Sequence, residues 1–371
     1  MTFWNRIEQL LKNKGMRILE LLIGKTPVHP EDVDKLRIKH ILVIRQHDQL
    51  GDFLLSTPVL RALREHFPAA HIALLVRNYT KAVALHNQYI DELIVFQEVG
   101  HNWTFALAKI FLKQVFRRRD LTIVLNTVSH SVTSDLFALF SRAPFILGSS
   151  HVTFPGCKRN FLYNLLAPYR EEIRNQSQRN MDVVRYLGID TADAGEHITL
   201  LEAERKWAQS TLVDAGINPN DLIIGVHPGA GKLGNRWRLE NFALVANELH
   251  RNLHAKIVIN HGPNETLLAD MLIDCLQFQP VTFGKLALRE LAAIISKYDI
   301  FICNDTGVLH VAAAVKTPLV AIFGPTESRE WKPIGDKFLA IQAADGRCDS
   351  VSARDVLAAV EMLLGDNPKL K

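Results

Sequence analysis

From His40 onward the chain alternates short, continuously apolar runs with longer stretches of mixed character. Ile41-Leu42-Val43-Ile44, Ile72-Ala73-Leu74-Leu75-Val76, Leu93-Ile94-Val95-Phe96, Leu121-Thr122-Ile123-Val124-Leu125 and Phe145-Ile146-Leu147 are of the first kind. Runs without polar alternation predict strands buried on both faces, the condition of a parallel sheet covered by helices. The stretch between Leu54 and His66 predicts one of those helices. Ser149 to Ile173, with Pro155, Gly156 and Pro168, predicts irregular structure, and Ser177 to Leu187 predicts a helix closed by Gly188. Polar residues from Asp190 to His197 suit a linker, after which the alternation restarts. Ile223-Ile224-Gly225-Val226, Ile257-Val258-Ile259, Phe301-Ile302-Cys303 and Leu319-Val320-Ala321-Ile322-Phe323 predict a second parallel sheet. The expected fold class is α/β, two Rossmann-like domains in series whose strand-end loops face a cleft between them. The boundaries read as a 1–36 amphipathic extension, a first domain at 37–190 and a second at 191–371.

Length and composition agree with this picture and exclude several classes. A chain of 371 residues can bury two cores, and 48% hydrophobic with 22% charged residues is globular. A formal charge of +4 is too small to argue for nucleic acid. Cys157, Cys275, Cys303 and Cys348 lack metal-site spacing and read as reduced thiols of a cytosolic protein. No run approaches the ~18 apolar residues of a membrane span. Glu8, Lys12, Lys14, Arg17 and Glu20 interrupt any secretion-signal core.

Two segments combine apolar and basic residues. In Met1 to Lys25, Trp4, Ile7, Leu11, Ile18 and Leu22 fall near helical spacing. Such a helix either lies in an anionic membrane interface or packs on its own protein. Trp103 to Arg119 carries Lys109, Lys113, Arg117, Arg118 and Arg119 and no acid before Asp120. It suits either an anionic surface or acceptor, or a half-buried helix with a solvated basic end.

The candidate chemistry gathers at strand ends. Asn304-Asp305-Thr306-Gly307 follows an apolar run and leads into the small-residue segment His310 to Val315. Asp305 or Thr306 can cap that helix, Gly307 admits a ligand to the backbone, and the helix dipole attracts phosphate. A capped helix without ligand is the alternative. Asp52, in the turn Gly51-Asp52 after the first strand, is either a general base toward a hydroxyl or an N-cap, with Asp48 a weaker rival. His227-Pro228-Gly229-Ala230-Gly231-Lys232-Leu233-Gly234 contains a formal Gly-x-Gly-x-x-Gly. The next helix begins only near Glu240, and no ribose-binding acid ends the following strand, so the dinucleotide reading is discounted. What remains is a glycine loop whose Lys232, Arg236 and Arg238 suit a diphosphate. No metal site is expected: Asp32-Val33-Asp34 reads as solvated surface, and the fifteen histidines are scattered.

In combination these blocks resemble glycosyltransferase family 9, the ADP-heptose:lipopolysaccharide heptosyltransferases. The matching pieces, in family order, are Ile44-Arg45 through Gly51-Asp52 to Thr57-Pro58, the glycine loop with Arg236-Trp237, and Gly284-Lys285-Leu286-Ala287-Leu288-Arg289-Glu290-Leu291. Asn304 to His310 and Phe323-Gly324-Pro325-Thr326 complete them. The resemblance implies a GT-B architecture with an N-terminal acceptor domain, a C-terminal donor domain and an inverting, metal-independent transfer. It implies no cofactor, a nucleotide-sugar co-substrate (ADP-heptose) and an anionic lipopolysaccharide-core acceptor at the cytoplasmic face of the inner membrane. Asp52 matches the catalytic base, and the glycine loop with Gly229, Lys232 and Arg236 matches the donor's phosphate grip. Asp305 would hold sugar hydroxyls, Thr306 and Gly307 the diphosphate, His310 the donor, and Glu265 the nucleoside ribose. No acceptor-binding residue is assigned. The family's lysine before the x-Trp-Pro of the glycine loop is replaced by Asn235, leaving Arg236 or Lys232 to compensate. Two other readings stand beside transfer, a nucleotide-sugar epimerase on the same scaffold and a non-catalytic sugar-nucleotide or glycan-binding protein.

Overall fold

Strands without polar alternation can only be buried on both faces, and the computed structural model shows two sheets made of them. It describes residues 15–365, except 17, 47–48, 98–103, 152 and 155, together with residue 369. The first fourteen residues of the amphipathic segment, Asp48 and Trp103 therefore lie outside the described residues. Contacts divide the chain into two units, Met1–Gln49 with Ser56–Ala194, and Leu50–Leu55 with Gly195–Lys371.

The first unit holds β1 (His40–Arg45), β2 (His71–Arg77), β3 (Glu92–Phe96), β4 (Leu121–Val124), β5 (Phe145–Ser149) and β6 (Leu165–Ala167). They run parallel in the order β3-β2-β1-β4-β5-β6. Ile41 pairs with both Ile72 and Leu121, so the register keeps apolar side chains in layers. The second unit holds β7 (Ile223–His227), β8 (Lys256–His261), β9 (Val281–Gly284), β10 (Ile300–Asn304), β11 (Leu319–Phe323) and β12 (Phe338–Gln342). Its order, β12-β11-β10-β7-β8-β9, is the same arrangement, the Rossmann order in which direction reverses beside the first strand. Both sheets are the parallel α/β sheets the alternation predicts.

Among the described residues, 18–23 are helical, and from Leu50 onward the helices longer than one turn are α1 (Leu50–Leu54), α2 (Thr57–His66), α3 (Phe105–Val115), α4 (Val132–Phe140), α5 (Gln176–Arg185) and α6 (Glu202–Asp214). They continue as α7 (Leu239–Leu253), α8 (Thr266–Asp274), α9 (Leu288–Ile295), α10 (Gly307–Ala314) and α11 (Ala353–Leu364). Several starts follow from local capping. The Thr104 hydroxyl accepts from Leu107 N at the head of α3, the Asn175 side chain from Ser177 N at α5, and the Ser352 hydroxyl from Asp355 N at α11. In the first unit, α3 and α4 lay Phe111, Val115, Phe137 and Ala138 over Leu42 and Ile44. In the second, Trp237 and Phe242 with residues of α8 and α11 cover Ile224, Ile302 and Ile322. No helix among the described residues is long and apolar enough to cross a membrane.

Three strands escape the sequence reading: β6, β9 and β12. Each is the outer strand of its sheet. Val281–Gly284 is interrupted by Thr282 and ends in Gly284, and Leu165–Ala167 is only three residues long, so neither stands out, whereas Phe338-Leu339-Ala340-Ile341 is an apolar run that the sequence reading misses. The Leu54 to His66 helix is also corrected. The chain forms α1, breaks at Leu55-Ser56 and restarts as α2, because Pro58 is tolerated only in a first turn. Gly51 accordingly lies inside α1 rather than in a turn, and Asp52 sits in that helix's first turn instead of at a cap position.

Candidate active site

In the second unit the strand order reverses between β7 and β10, which pair Cys303 with His227. Loops leaving two adjacent strand ends in opposite directions open a crevice there. One loop is the glycine segment after β7, the other the Asp305-Thr306 turn after β10. Asn304, fully buried, ties them together. Its Oδ1 accepts from Trp237 N at 2.9 Å, and its Nδ2 donates to the carbonyls of Pro228 (2.8 Å) and Gly229 (3.3 Å). Trp237 is anchored in turn, its indole N–H donating to the Val351 carbonyl at 2.9 Å. The Arg236 Nε donates to the Ala230 carbonyl at 2.9 Å, folding the guanidinium back over the loop.

The crevice is a cavity of about 510 Å³, inside the ~300–1,000 Å³ range of small-molecule sites. Its walls include Gly231, Arg236, Asn260, Glu265, Lys285 and Thr306. Glu265 is held by Gly262 N, which donates to its Oε2 at 2.7 Å, and it stands 3.7 Å from His227 Nε2. A Cβ at position 229 would come within 2.0 Å of the Glu265 carboxylate, so glycine is required for that carboxylate to reach the loop. Burial pushes the His227 imidazole pKa down, against the opposing pull of the Glu265 charge. His227 Nδ1 donates to the Asn260 carbonyl at 2.9 Å. The Asn260 side chain accepts from the Tyr298 hydroxyl at 2.8 Å, which orients its amide nitrogen.

Helix α10 contributes to the cavity and also carries a second cluster. Thr306 occupies its N-cap position in extended conformation, but the side chain makes no capping bond. Asp305 does not cap either; its Oδ2 accepts from Asn235 Nδ2 at 2.9 Å, while the same amide reaches Thr326 Oγ1 at 3.2 Å. The helix start thus presents backbone N–H groups and its dipole beside the cavity that Thr306 and Val308 line.

Further along α10, His310 Nδ1 meets Glu196 Oε1 at 2.8 Å, with both side chains buried. The ring lies against α1: a Cβ at Gly51 would stand 2.6 Å from His310 Cδ2. Leu50 is likewise packed close to Gly307. Burial alone would lower the His310 pKa, but Glu196, Asp305 and Asp52 together raise it above the ordinary imidazole value. Asp52, half-buried on α1, therefore belongs to a group of three carboxylates around one imidazole.

Arg236, Glu265 and Thr306 line the cavity, Gly229 abuts it through Glu265, and Asp305, held by Asn235, is the residue before Thr306 without lining the cavity itself. Gly307 and His310 of α10 meet Leu50 and Gly51 of α1, and the charge of Asp52 on the same short helix acts on His310. Lys232 is exposed and does not line the cavity. Arg238 points away to Asp349 at 3.4 Å. Arg289 of the resembling blocks also faces elsewhere, gripping Glu204 at 2.5 and 2.6 Å and the Thr199 carbonyl at 2.7 Å. Glu196 escaped the sequence reading because it stands in a polar stretch that reads as linker, and nothing local marks it as buried.

Two sheets of Rossmann order with an anion-suited crevice at the second reversal are a GT-B arrangement. The chain belongs to glycosyltransferase family 9 (heptosyltransferase), whose model matches residues 111–359. It is 27% identical over 334 residues to lipopolysaccharide heptosyltransferase 3 of Escherichia coli, covering 85% of this chain and 96% of that one. Among solved structures it is similar to the family 9 glycosyl transferase of Veillonella parvula, at a TM-score of 0.78 and 25% identity, over 89% of this chain and 98% of that one. The E. coli heptosyltransferase WaaC with ADP shares the fold at a TM-score of 0.70 and 15% identity, over 87% of this chain and 99% of that one.

Proposed function

We propose that the chain moves a heptose from ADP-heptose onto a hydroxyl of the lipopolysaccharide core at the cytoplasmic face of the inner membrane, by an inverting, metal-independent displacement. Residues 37–190 serve the acceptor and residues 191–371 the donor, with Asp52 carried on the short segment that groups with the latter. The observation that carries this reading is that α10 bears both the start that lines the cavity and His310, which groups with Glu196 and Asp52. Asp52 takes the proton of the acceptor hydroxyl as its oxygen bonds to the anomeric carbon. The bond from that carbon to the β-phosphate oxygen breaks, and ADP departs with the negative charge. Arg236 and the N–H groups at the start of α10 receive that charge, while Glu265 takes the ribose hydroxyls.

This reading answers the loss of lysine at position 235. Asn235 is committed to Asp305 and Thr326, which supports a loop-fixing role there. Arg236 lines the cavity, so the cation for the diphosphate is Arg236 rather than Lys232. Calorimetry with ADP, GDP and UDP tests it, with ADP expected to bind most tightly; equal or tighter UDP binding would overturn the donor assignment. Arg236→Ala should weaken ADP binding by about 10- to 100-fold, the worth of a charged hydrogen bond. Lys232→Ala should leave it nearly unchanged.

Gly51→Ala tests the contact of α1 with the imidazole. A methyl group would displace either His310 or α1, and a shift of about 1 Å at a reacting group costs on the order of 10²-fold in rate. Steady-state kinetics should show that loss in kcat with ADP affinity retained.

A further inference from the structure

The first unit exposes an apolar surface that its core does not use. On α3, Leu107, Ile110 (56% exposed) and Leu112 point outward while Phe111 and Val115 take the core side. On α4, Val132 (53%), Leu136 and Phe140 do the same while Phe137 and Ala138 are buried. The two outer faces join where Phe116 stacks on Phe140, ring centroids 4.9 Å apart. The helical residues 18–23 continue the surface. Leu21 and Leu22 are 86% and 74% exposed, while Met16 packs into the same cluster as Leu139 of α4. Lys25 Nζ donates to the Ala143 carbonyl at 2.9 Å, fixing this segment beside the end of α4.

The charge around these apolar positions is predominantly positive. Lys109, Lys113, Arg117, Arg118 and Arg142 are all exposed, and the Arg142 guanidinium lies 6.0 Å from the centre of the Phe116 ring. Residues 104–151 contain two acids, and neither answers these cations. Asp135 is fully buried, bonded to His130 and Asn160, and Asp120 accepts from the backbone N–H groups of Lys39 and His40. Glu92, held by the buried Arg119 at 3.1 Å, also stands 4.0 Å from Arg117 and so offsets that one cation, while Glu20 stands 3.6 Å from Arg159. Ordinary surface helices intersperse both signs, and contiguous apolar patches mark interaction sites.

We propose that this face, formed by residues 18–23, α3 and α4, docks on an anionic lipid bilayer. The apolar side chains enter the headgroup–acyl boundary, and the lysines and arginines, whose stems cover apolar surface while their heads reach outward, meet the lipid phosphates. The excess of positive charge, carried by Lys109, Lys113, Arg118 and Arg142, selects the bilayer over a second copy of the chain, since two such faces would repel each other.

Flotation of the full chain with vesicles tests this, and no donor or acceptor enters the assay, so its outcome is independent of the transfer reading. The chain should float with phosphatidylcholine–phosphatidylglycerol vesicles, much less with phosphatidylcholine alone, and less as salt rises. Leu107→Ser with Ile110→Ser should cut the partition coefficient at least about tenfold, two exposed leucine-class anchors being lost. Lys109→Glu with Lys113→Glu should do so without touching an apolar residue. Melting curves of both variants should match the parent, because each altered side chain is exposed. Unchanged partition of both variants, or equal binding to neutral vesicles, overturns the proposal. So does a concentration-dependent dimer in sedimentation that Ile110→Ser dissolves while no vesicle binding is seen, an outcome that would assign the face to a second copy.

Discussion

Replacing Asp52 by Asn should lower the transfer rate by about 10²- to 10⁴-fold while donor affinity stays close to the parent's, the range a positioned general base contributes. The substitution keeps the shape of the side chain, so α1 retains its packing and Gly51 its contact with His310. What it removes is the acceptor for a proton. An alcohol attacking an anomeric carbon must lose that proton, and an amide cannot take it. The cavity that would hold the nucleotide is lined by Arg236, Glu265 and Thr306, with Asp52 absent from its walls, so binding and chemistry separate. Calorimetry with ADP and steady-state kinetics read the two quantities independently. Unchanged kcat would remove Asp52 as the base. A parallel loss of ADP affinity would instead mean that the carboxylate acts by shaping the start of α10.

How much of this was legible beforehand depends on whether a feature is local. The central strands announce themselves because residues buried on both faces must be apolar throughout, as Ile41 to Ile44 and Leu319 to Phe323 are. Edge strands are uneven: Leu93 to Phe96 is apolar enough to be read, whereas Val281–Gly284 is broken by Thr282 and Leu165–Ala167 is too short to register. The glycine loop and the Asp305-Thr306-Gly307 turn are short, contiguous and chemically distinctive, so both could be placed at strand ends from sequence. Whether Lys232 or Arg236 turns inward could not, because that choice is made by a hydrogen bond to the Ala230 carbonyl. Asp305 as a cap was the expectation of a helix read alone; Asn235, seventy positions away, claims the carboxylate. Glu196 is the extreme case. A lone acid in a polar stretch reads as solvated, and only the tertiary arrangement turns it toward a histidine on a helix more than a hundred residues later.

That buried pair sets the second large effect. Glu196→Gln should destabilise the fold most strongly on the acid side, by up to about 3–5 kcal/mol, the cost of removing one partner of a buried ion pair. The sign follows from the imidazole. Its pKa in the folded protein is raised above the ~6.5 of an unfolded chain. Protonation therefore favours the folded state, and that contribution is complete below about pH 6.5 and disappears as pH rises through the folded value. With glutamine at 196, burial still penalises the cation while the opposing carboxylates are reduced to Asp52 and Asp305. The variant's His310 should then titrate lower, and the gap in melting temperature between parent and variant should narrow from about pH 6 to about pH 9. A gap of constant size across that range would show that Glu196 contributes only packing and a neutral hydrogen bond. The same titration should appear in the kinetics, because the imidazole that Glu196 charges lies against the helix that carries Asp52. A parent whose kcat changes across the His310 titration and a Glu196→Gln variant whose kcat does so at lower pH would make Glu196 a positioning residue of the reaction rather than a strut of the fold.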